Sequence, residues 1–107
     1  MKRDRILEEM EWAEKKIDLI RKRIKYLFQK NNIKFKEYSG GHSLCFYYFK
    51  DSHYKVRIIY DDNMGLFYLG FIDNFLDKKI KISINIEKLN KSIDDFFYKN
   101  IFKKLQS

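Results

Sequence analysis

The chain has 107 residues, of which 45% are hydrophobic and 36% are charged, and its net charge is +8. This length fits a single domain, 1–107, and the hydrophobic content excludes a disordered chain. Its apolar runs fall short of the roughly 18 residues that a membrane helix needs, its charged N-terminus is unlike a signal peptide, and Cys45 has no second cysteine to pair with. We therefore expect a cytoplasmic protein without membrane contact.

The amino-acid usage is strongly skewed. Lysine, isoleucine, phenylalanine, tyrosine and asparagine account for 57 of the 107 residues, and proline and threonine are absent. The abundant residues have AT-rich codons, which indicates a gene from an AT-rich bacterium, phage or plasmid. Codon usage then explains part of the positive charge, so net charge alone is a weak indication of a nucleic-acid partner.

The first quarter of the chain predicts one long helix over 4–31. Its apolar residues recur at alternating spacings of four and three, which is a seven-residue repeat, called the seam below. The seam consists of Ile6, Met10, Ala13, Ile17, Ile20, Ile24 and Leu27. Glutamates crowd the first half of the helix and basic residues the second half, as the helix dipole favours. A helix of this length is about 42 Å long, so it should overhang a domain of this size.

The seam has two explanations. The default for a small domain is packing on the chain's own sheet. The alternative is contact with a partner, and four apolar residues outside the seam would then supply the protein interface: Trp12, Leu19, Tyr26 and Phe28. A homodimer through the seam should be antiparallel, because parallel pairing would place Glu9 beside Glu14.

Short alternating or aromatic segments follow, separated by turn residues. We predict strands over about 33–38, 43–50, 54–60, 66–72 and 80–86, and a second helix over 88–105 with an apolar residue at every fourth position. Consecutive strands joined by short turns form an antiparallel meander. The predicted fold class is α+β: a long N-terminal helix, a four- to five-stranded antiparallel meander sheet and a C-terminal helix.

Alternation within the strands separates the two faces of the predicted sheet. The 54–60 and 80–86 segments are apolar on one side and carry Lys55, Arg57 and Lys81 on the other. One face of the sheet should therefore take a helix, whereas the other is partly basic. The 43–50 and 66–72 segments are apolar on both sides, so these strands should be central or covered twice.

No pattern typical of catalysis or metal binding stands out. His42 with Cys45 supplies too few ligands for a metal site, and Asp61, Asp62 and Asn63 lack the spacing of a calcium loop. A buried cysteine and a hairpin turn explain these residues better. We predict no catalytic residue, no metal ligand and no cofactor, and keep a hydrolase or nuclease only as a remote alternative.

Two features favour nucleic-acid binding: a basic cluster at the end of the first helix and the basic sheet face beside tyrosines. The predicted nucleic-acid-binding residues are Arg21, Lys22, Arg23, Lys25, Lys30, Lys34, Lys36, Lys55, Arg57 and Lys81. The net charge is +4 over 1–33, zero over 34–78 and +4 over 79–107. Because the excess lies in the helices, this distribution argues against base stacking on the sheet.

The predicted function is that of a non-enzymatic, small basic binding protein that acts on nucleic acid or on a nucleic-acid-handling protein complex. The alternative is a protein-only inhibitor or adaptor of mobile-element origin, which would block, for example, a host defence or replication enzyme through the first helix and aromatic surface residues. Salt-dependent binding to nucleic acid would favour the first, and a stoichiometric protein partner the second.

Overall fold

The helices and strands follow one another in the predicted order. The computed structural model describes residues 2–39 and 45–106, with side chains over 8–39 and 45–105. Helix α1 covers Lys2–Lys30, and the strands are β1 Phe35–Ser39, β2 Cys45–Phe49, β3 Tyr54–Asp61, β4 Leu66–Asp73 and β5 Lys78–Ser83. A 3-10 turn at Ile86–Lys88 leads into α2 Leu89–Phe96, a π-helical segment Phe97–Phe102 and α3 Lys103–Gln106. The strands form one antiparallel sheet in the order β1-β2-β3-β4-β5, which confirms the predicted α+β meander.

Helix α1 ends in a Schellman motif. The Ile33 N–H donates to the Phe28 carbonyl at 2.9 Å, and the Asn32 N–H donates to the Gln29 carbonyl at 3.2 Å. Asn32 has a left-handed backbone with φ of 56°, a conformation that asparagine tolerates better than most residues. This reversal sends the chain directly into β1.

The seam of α1 packs against the chain's own sheet. Its side chains from Ala13 to Leu27 are buried or partly buried in the core, with Ile20 fully inaccessible. The default explanation of the seam is therefore right for residues 13–27. These side chains already have their partners within the fold, and an antiparallel homodimer through the seam stays a prediction.

Phe28 is a correction to the predicted protein interface. Its ring is 0% exposed, and it packs within 5.1 Å of the Phe35 and Phe49 rings and 5.8 Å of the Phe97 ring, measured between centroids. Phe28 follows Leu27 on the inner side of α1. The buried apolar stripe of the helix is therefore wider than the seam and includes this neighbouring position. Phe28 anchors α1 to both the sheet and the C-terminal helix.

The N-terminal part of α1 extends beyond the sheet. The molecule measures 53 × 24 × 21 Å, and its radius of gyration of 14.4 Å exceeds the roughly 13 Å of a compact chain of this length. Among residues 8–30, the first buried side chain is that of Ala13, and Met10 is largely exposed. These dimensions agree with the predicted overhang.

The helices cover one face of the sheet. Its inward side chains come from the same alternate positions of each strand, and the most deeply buried are Tyr47, Phe49, Val56, Ile58, Phe67, Leu69 and Phe71. Strands β2 and β4 lie inside the sheet, as predicted. The described helices leave their second face uncovered, so these strands are central without being covered twice.

The second helix, predicted over 88–105, covers residues 89–106 and includes a π-helical segment between two α-helical parts. Its apolar residues Leu89, Ile93, Phe97, Ile101 and Leu105 recur at every fourth position. On an α-helix each such step drifts by about 40°, because the turn holds 3.6 residues. The wider π-helical turns of Phe97–Phe102 absorb this drift and keep Phe97 and Ile101 buried on one side.

Several strand bounds also differ from the prediction. Strand β5 begins two residues earlier and ends at Ser83, although Ile84 is still buried and donates its N–H to the Phe67 carbonyl at 2.8 Å. The Asn85 side chain then accepts the Glu87 N–H at 3.0 Å and starts the 3-10 turn. Positions 43 and 44 of the predicted second strand lie outside the described residues.

Candidate nucleic-acid interface

The sheet face that carries no described helix, called the open face below, is built from the other alternate residues of all five strands. Strand register aligns two rows across it, one of Tyr38, Phe46, Arg57, Gly70 and Lys81, and one of Lys36, Tyr48, Lys55, Ile72 and Lys79. Neighbouring members of a row lie on strands about 4.8 Å apart. Aromatic and cationic side chains are thereby interleaved over a continuous surface.

Four aromatic rings lie on the open face. Tyr38, Phe46 and Tyr48 form a strip over β1 and β2, with centroid distances of 6.1 Å and 6.4 Å between successive rings. Tyr68 lies on β4, two positions from Gly70. Tyr38 is the most accessible of the four, at 61% exposed, and the other three are half-buried. These rings therefore present part of their surface to solvent.

Cations of the open face lie over these rings. The Lys55 Nζ is 4.4 Å from the Phe46 centroid, and the Arg57 guanidinium carbon is 5.5 Å from the same centroid. The Lys81 Nζ is 4.3 Å from the Tyr68 centroid. Such contacts contribute about 0.5–1 kcal/mol at exposed sites, so a ligand that offers phosphate can draw the ammonium groups off the rings.

Carboxylates are scarce on this surface. Asp61 shares the open face only at the far end of β3, where its Oδ1 accepts the N–H groups of Asn63 and Met64. None of the five open-face cations forms an ion pair with a carboxylate among the residues that the structure describes: Lys36, Lys55, Arg57, Lys79 and Lys81. The open face is therefore a concentrated positive surface.

The electrostatics of Lys55 and Arg57 reflect this crowding of positive charge. Partial burial lowers the pKa of Lys55, and repulsion from Arg57 and Lys79 lowers it further. The Nε–H of Arg57 is buried and has no acceptor within the described parts of the chain. Packing on Phe46, rather than a carboxylate, holds this guanidinium in place. An anion brought to this surface would relieve the repulsion.

The basic cluster predicted at the end of α1 is arranged differently. Arg21 donates two hydrogen bonds to the Glu37 carboxylate at 3.2 Å and 3.4 Å, and Lys25 Nζ lies 3.5 Å from the same group. Burial of Glu37 opposes its ionisation, but the Tyr47 hydroxyl, which donates at 2.8 Å, and the Arg21 guanidinium outweigh this and hold the pKa of Glu37 below its usual value. These cations serve the fold.

Two further members of that cluster are also paired. Arg23 forms a bidentate ion pair with Asp94 of α2, with nitrogen–oxygen distances of 2.6 Å and 2.8 Å, and Lys22 pairs with Asp18 one turn earlier at 3.1 Å. Arg23 thereby ties α1 to the C-terminal helix. The α1 cluster is consequently a weaker candidate for phosphate binding than its composition predicted.

The other predicted residues divide between the two regions. Lys30 is exposed near the end of α1, with its Nζ 5.8 Å from the Tyr26 centroid. Lys34 and Lys36 line a cleft of about 600 Å³ together with Tyr48, at the edge of the open face. Lys36, Lys55, Arg57 and Lys81 are thus brought together on one surface, whereas Lys22 and Lys30 lie on the helix.

The remaining residues of the predicted protein interface are accessible. Leu19 and Tyr26 are each 46% exposed and lie seven residues apart, on one side of α1. Trp12 is 40% exposed but packs on the Phe67 ring at 5.6 Å between centroids. These three side chains stay a predicted interface.

Sequence-based reasoning missed Tyr38, Phe46, Tyr68 and Lys79 as members of the open face. The signal that could have found these four residues is the alternation of side chains along each strand. Once the meander is assumed, counting residues through each turn places them on the same face as Lys55 and Arg57. The zero net charge of 34–78 obscured the basic character of this face. The aspartates of this stretch lie in turns or at strand ends, and Glu37 lies on the inner face.

Comparison with protein-family models, with curated proteins and with solved structures finds no match to this chain. Within residues 2–39 and 45–106, no group of three or more histidine, cysteine, aspartate or glutamate side chains could hold a metal ion. No helix in this part of the chain combines the length and apolar character needed to cross a bilayer. His42 lies outside the described residues, and Cys45 is buried with its thiol donating to the Tyr47 hydroxyl at 3.4 Å.

Proposed function

We propose that this chain binds single-stranded nucleic acid on the open face of its sheet. The observation that carries the proposal is the surface on which four aromatic rings interleave with five cations that have no carboxylate partner among the described residues. Aromatic rings stack on exposed bases and basic side chains neutralise phosphates. The open face offers both groups at the spacing of adjacent strands.

On binding of a single strand, bases would replace cations as the partners of the aromatic rings. A base that stacks on Phe46 or Tyr68 replaces the ammonium group above the ring, and the displaced Lys55 or Lys81 turns to a phosphate. Gly70 carries no side chain between Arg57 and Lys81, and the side chains of Ile59 and Arg57 pack over it. A single strand is favoured over a duplex, since paired bases are already stacked on one another and do not offer their faces.

Equilibrium binding across a salt series tests this proposal. A short fluorescent single-stranded RNA, the same sequence as DNA and a matching duplex are titrated between about 50 and about 200 mM salt. We expect single strands to bind more tightly than duplex, with a steep loss of affinity as salt rises. No binding of either single strand at the lowest salt would overturn the proposal.

Matched pairs of variants locate the interface. Lys55→Ala with Lys81→Ala removes two charges from the open face and should reduce the slope of log affinity against log salt by about 1.4. Lys22→Ala with Lys30→Ala removes the same charge from α1 and should leave the slope unchanged. Equal effects of the two pairs would show that net charge, rather than the open face, governs binding.

A protein partner is the second candidate function, favoured by the exposed Leu19 and Tyr26 on α1. An adaptor or inhibitor would use these apolar side chains as anchors. A protein that copurifies stoichiometrically and is lost from the Leu19→Lys variant would support this candidate. Together with failure of single-strand binding, that result would replace the nucleic-acid proposal.

A further inference from the structure

A second cationic cleft lies away from the open face, between the β4–β5 hairpin and the C-terminal helix. It is an open cleft of about 560 Å³, and its lining includes His53, Tyr54, Phe75, Lys99 and Lys103. Tyr54 and Asp73 belong to the inner alternation of the sheet, so this cleft opens on the helix side. Neither the open face nor the core accounts for this combination of rings and charge.

A cluster of three mutually tilted rings forms one wall of the cleft. His53 lies between Tyr54, at 4.4 Å between centroids, and Phe75, at 3.8 Å with the two ring planes 30° apart. Tyr54 is buried, whereas Phe75 is 75% exposed at the hairpin. Most of the Phe75 side chain is consequently accessible to another planar ring, beside the tilted ring of His53.

Asp73 fixes the hairpin that carries Phe75. This carboxylate is 2% exposed, and its Oδ1 accepts the N–H groups of Phe75 and Leu76 at 3.0 Å and 3.2 Å. Its other oxygen lies 3.3 Å from Lys104 Nζ, and His53 Nε2 lies 3.4 Å from Oδ1. Asp73 is therefore fully engaged in positioning the wall of the cleft.

The opposite wall supplies positive charge. Lys99 is in the π-helical segment and Lys103 begins α3, and both are exposed and line the cleft together with Asn100. Neither lysine pairs with a carboxylate within the described chain. Asn100 donates its side-chain amide to the Phe96 carbonyl at 3.1 Å. Two ammonium groups thus lie across from an exposed ring.

We infer that this cleft binds a nucleoside phosphate, with the base stacked on Phe75 and the phosphate held by Lys99 and Lys103. A planar ring and a dianion in one small molecule match the ring cluster on one wall and the two lysines on the other. The ligand is either a free nucleotide or the phosphorylated end of a strand, which share this chemistry. The inference does not depend on strand binding to the open face, because the two sites share no residue.

The direct test compares adenosine 5′-monophosphate with adenosine and with inorganic phosphate, using calorimetry and the ring-proton NMR signals of His53 and Phe75. The monophosphate should bind more tightly than either part alone and shift both sets of signals. Phe75→Leu, which keeps an apolar side chain without the planar ring, should weaken binding about fivefold or more. Lys99→Ala with Lys103→Ala should weaken it further at low salt, whereas Lys91→Ala, on the exposed side of α2, should not.

Strands with a terminal phosphate distinguish the two sources of the ligand. If strands with a phosphorylated end bind more tightly than strands with a hydroxyl end, and Phe75→Leu abolishes this preference, the ligand is the strand end. If the monophosphate binds but strands show no such preference, the ligand is the free nucleotide. Phosphate alone binding as tightly as the monophosphate, or no response to the monophosphate together with no end preference, would overturn the inference. Phe46→Ala with Tyr68→Ala should weaken strand binding and leave monophosphate binding intact, so failure at one site is distinguishable from failure at the other.

Discussion

The basic half of α1 and the open face of the sheet contain the same residue types but use them in opposite ways. On α1, Arg21 and Arg23 reach carboxylates on β1 and α2 and so join elements of the fold. On the open face, Lys55 and Lys81 lie over aromatic rings with no described carboxylate nearby. A cation that has no carboxylate partner is available to an anion, whatever the density of basic residues along the chain.

The physical reason is the position of each region relative to the core. The α1 cations emerge at the boundary between helix and sheet, where partly buried charges are costly unless they are paired. None of the described helices covers the open face, so Lys36, Lys79 and Lys81 stay exposed to water and need no carboxylate partner for the chain to fold.

The largest expected effect is a loss of folding stability, which should be greater on the inner side of α1 than on the open face. Phe28→Ala should destabilise the protein by about 3–5 kcal/mol, because it leaves a cavity among four aromatic rings. Phe46→Ala, on the open face, should cost well under half of that. Urea unfolding of both variants measures the difference, and equal losses would mean that the open face is part of the core.

The next effect concerns binding. Phe46→Ala with Tyr68→Ala should lower the affinity for single-stranded RNA by about 30-fold or more, because each ring stacks one base. Tyr26→Ala, which removes an exposed ring from α1, serves as the matched control and should change affinity little. Fluorescence anisotropy at constant salt gives both values. A larger loss from Tyr26→Ala would move the interface to the helix.

A smaller effect tests the structural role of the α1 cations. Asp94→Asn removes the charge that Arg23 meets through two short hydrogen bonds, and should destabilise the fold by about 1 kcal/mol at this half-exposed site. Asp18→Asn removes an exposed partner of Lys22 and should have almost no effect. Urea denaturation compares the two, while strand affinity should stay unchanged in both. Loss of affinity in Asp94→Asn with intact stability would contradict the structural role.

The smallest effect is a pH dependence at Glu37. Its pKa is lower in the folded protein than in the unfolded chain, so the folded state gains stability that is complete above the unfolded value of about 4.3 and is lost as pH falls through the folded pKa. Thermal unfolding between neutral and acid pH should therefore show a shallower acid decline for Glu37→Gln than for the parent chain. Parallel declines would show that Arg21 and Lys25 do not stabilise the ionised carboxylate.

Sequence patterns were sufficient for the architecture. The seam predicted α1, and alternation in 54–60 and 80–86 predicted which side chains point toward the helices, because periodicity is a local property of each element. In the C-terminal helix, apolar residues recur at every fourth position, a spacing wider than the 3.6 residues of an α-helical turn. This spacing is consistent with the wider π-helical turns. Of the candidate site, Lys55, Arg57 and Lys81 followed from the same alternation, whereas Lys36 was predicted only as part of the basic cluster at the end of α1.

Which charges are neutralised and which rings share a surface depends on the tertiary structure. Glu37 reaches Arg21 across sixteen residues and Asp94 reaches Arg23 across seventy-one, distances along the chain at which no periodic pattern carries information. The rows that join Tyr38 to Lys81 across the open face arise only when all five strands pair in register. Local spacing thus determines the elements and their faces, whereas ion pairing and surface composition depend on contacts between residues far apart in sequence.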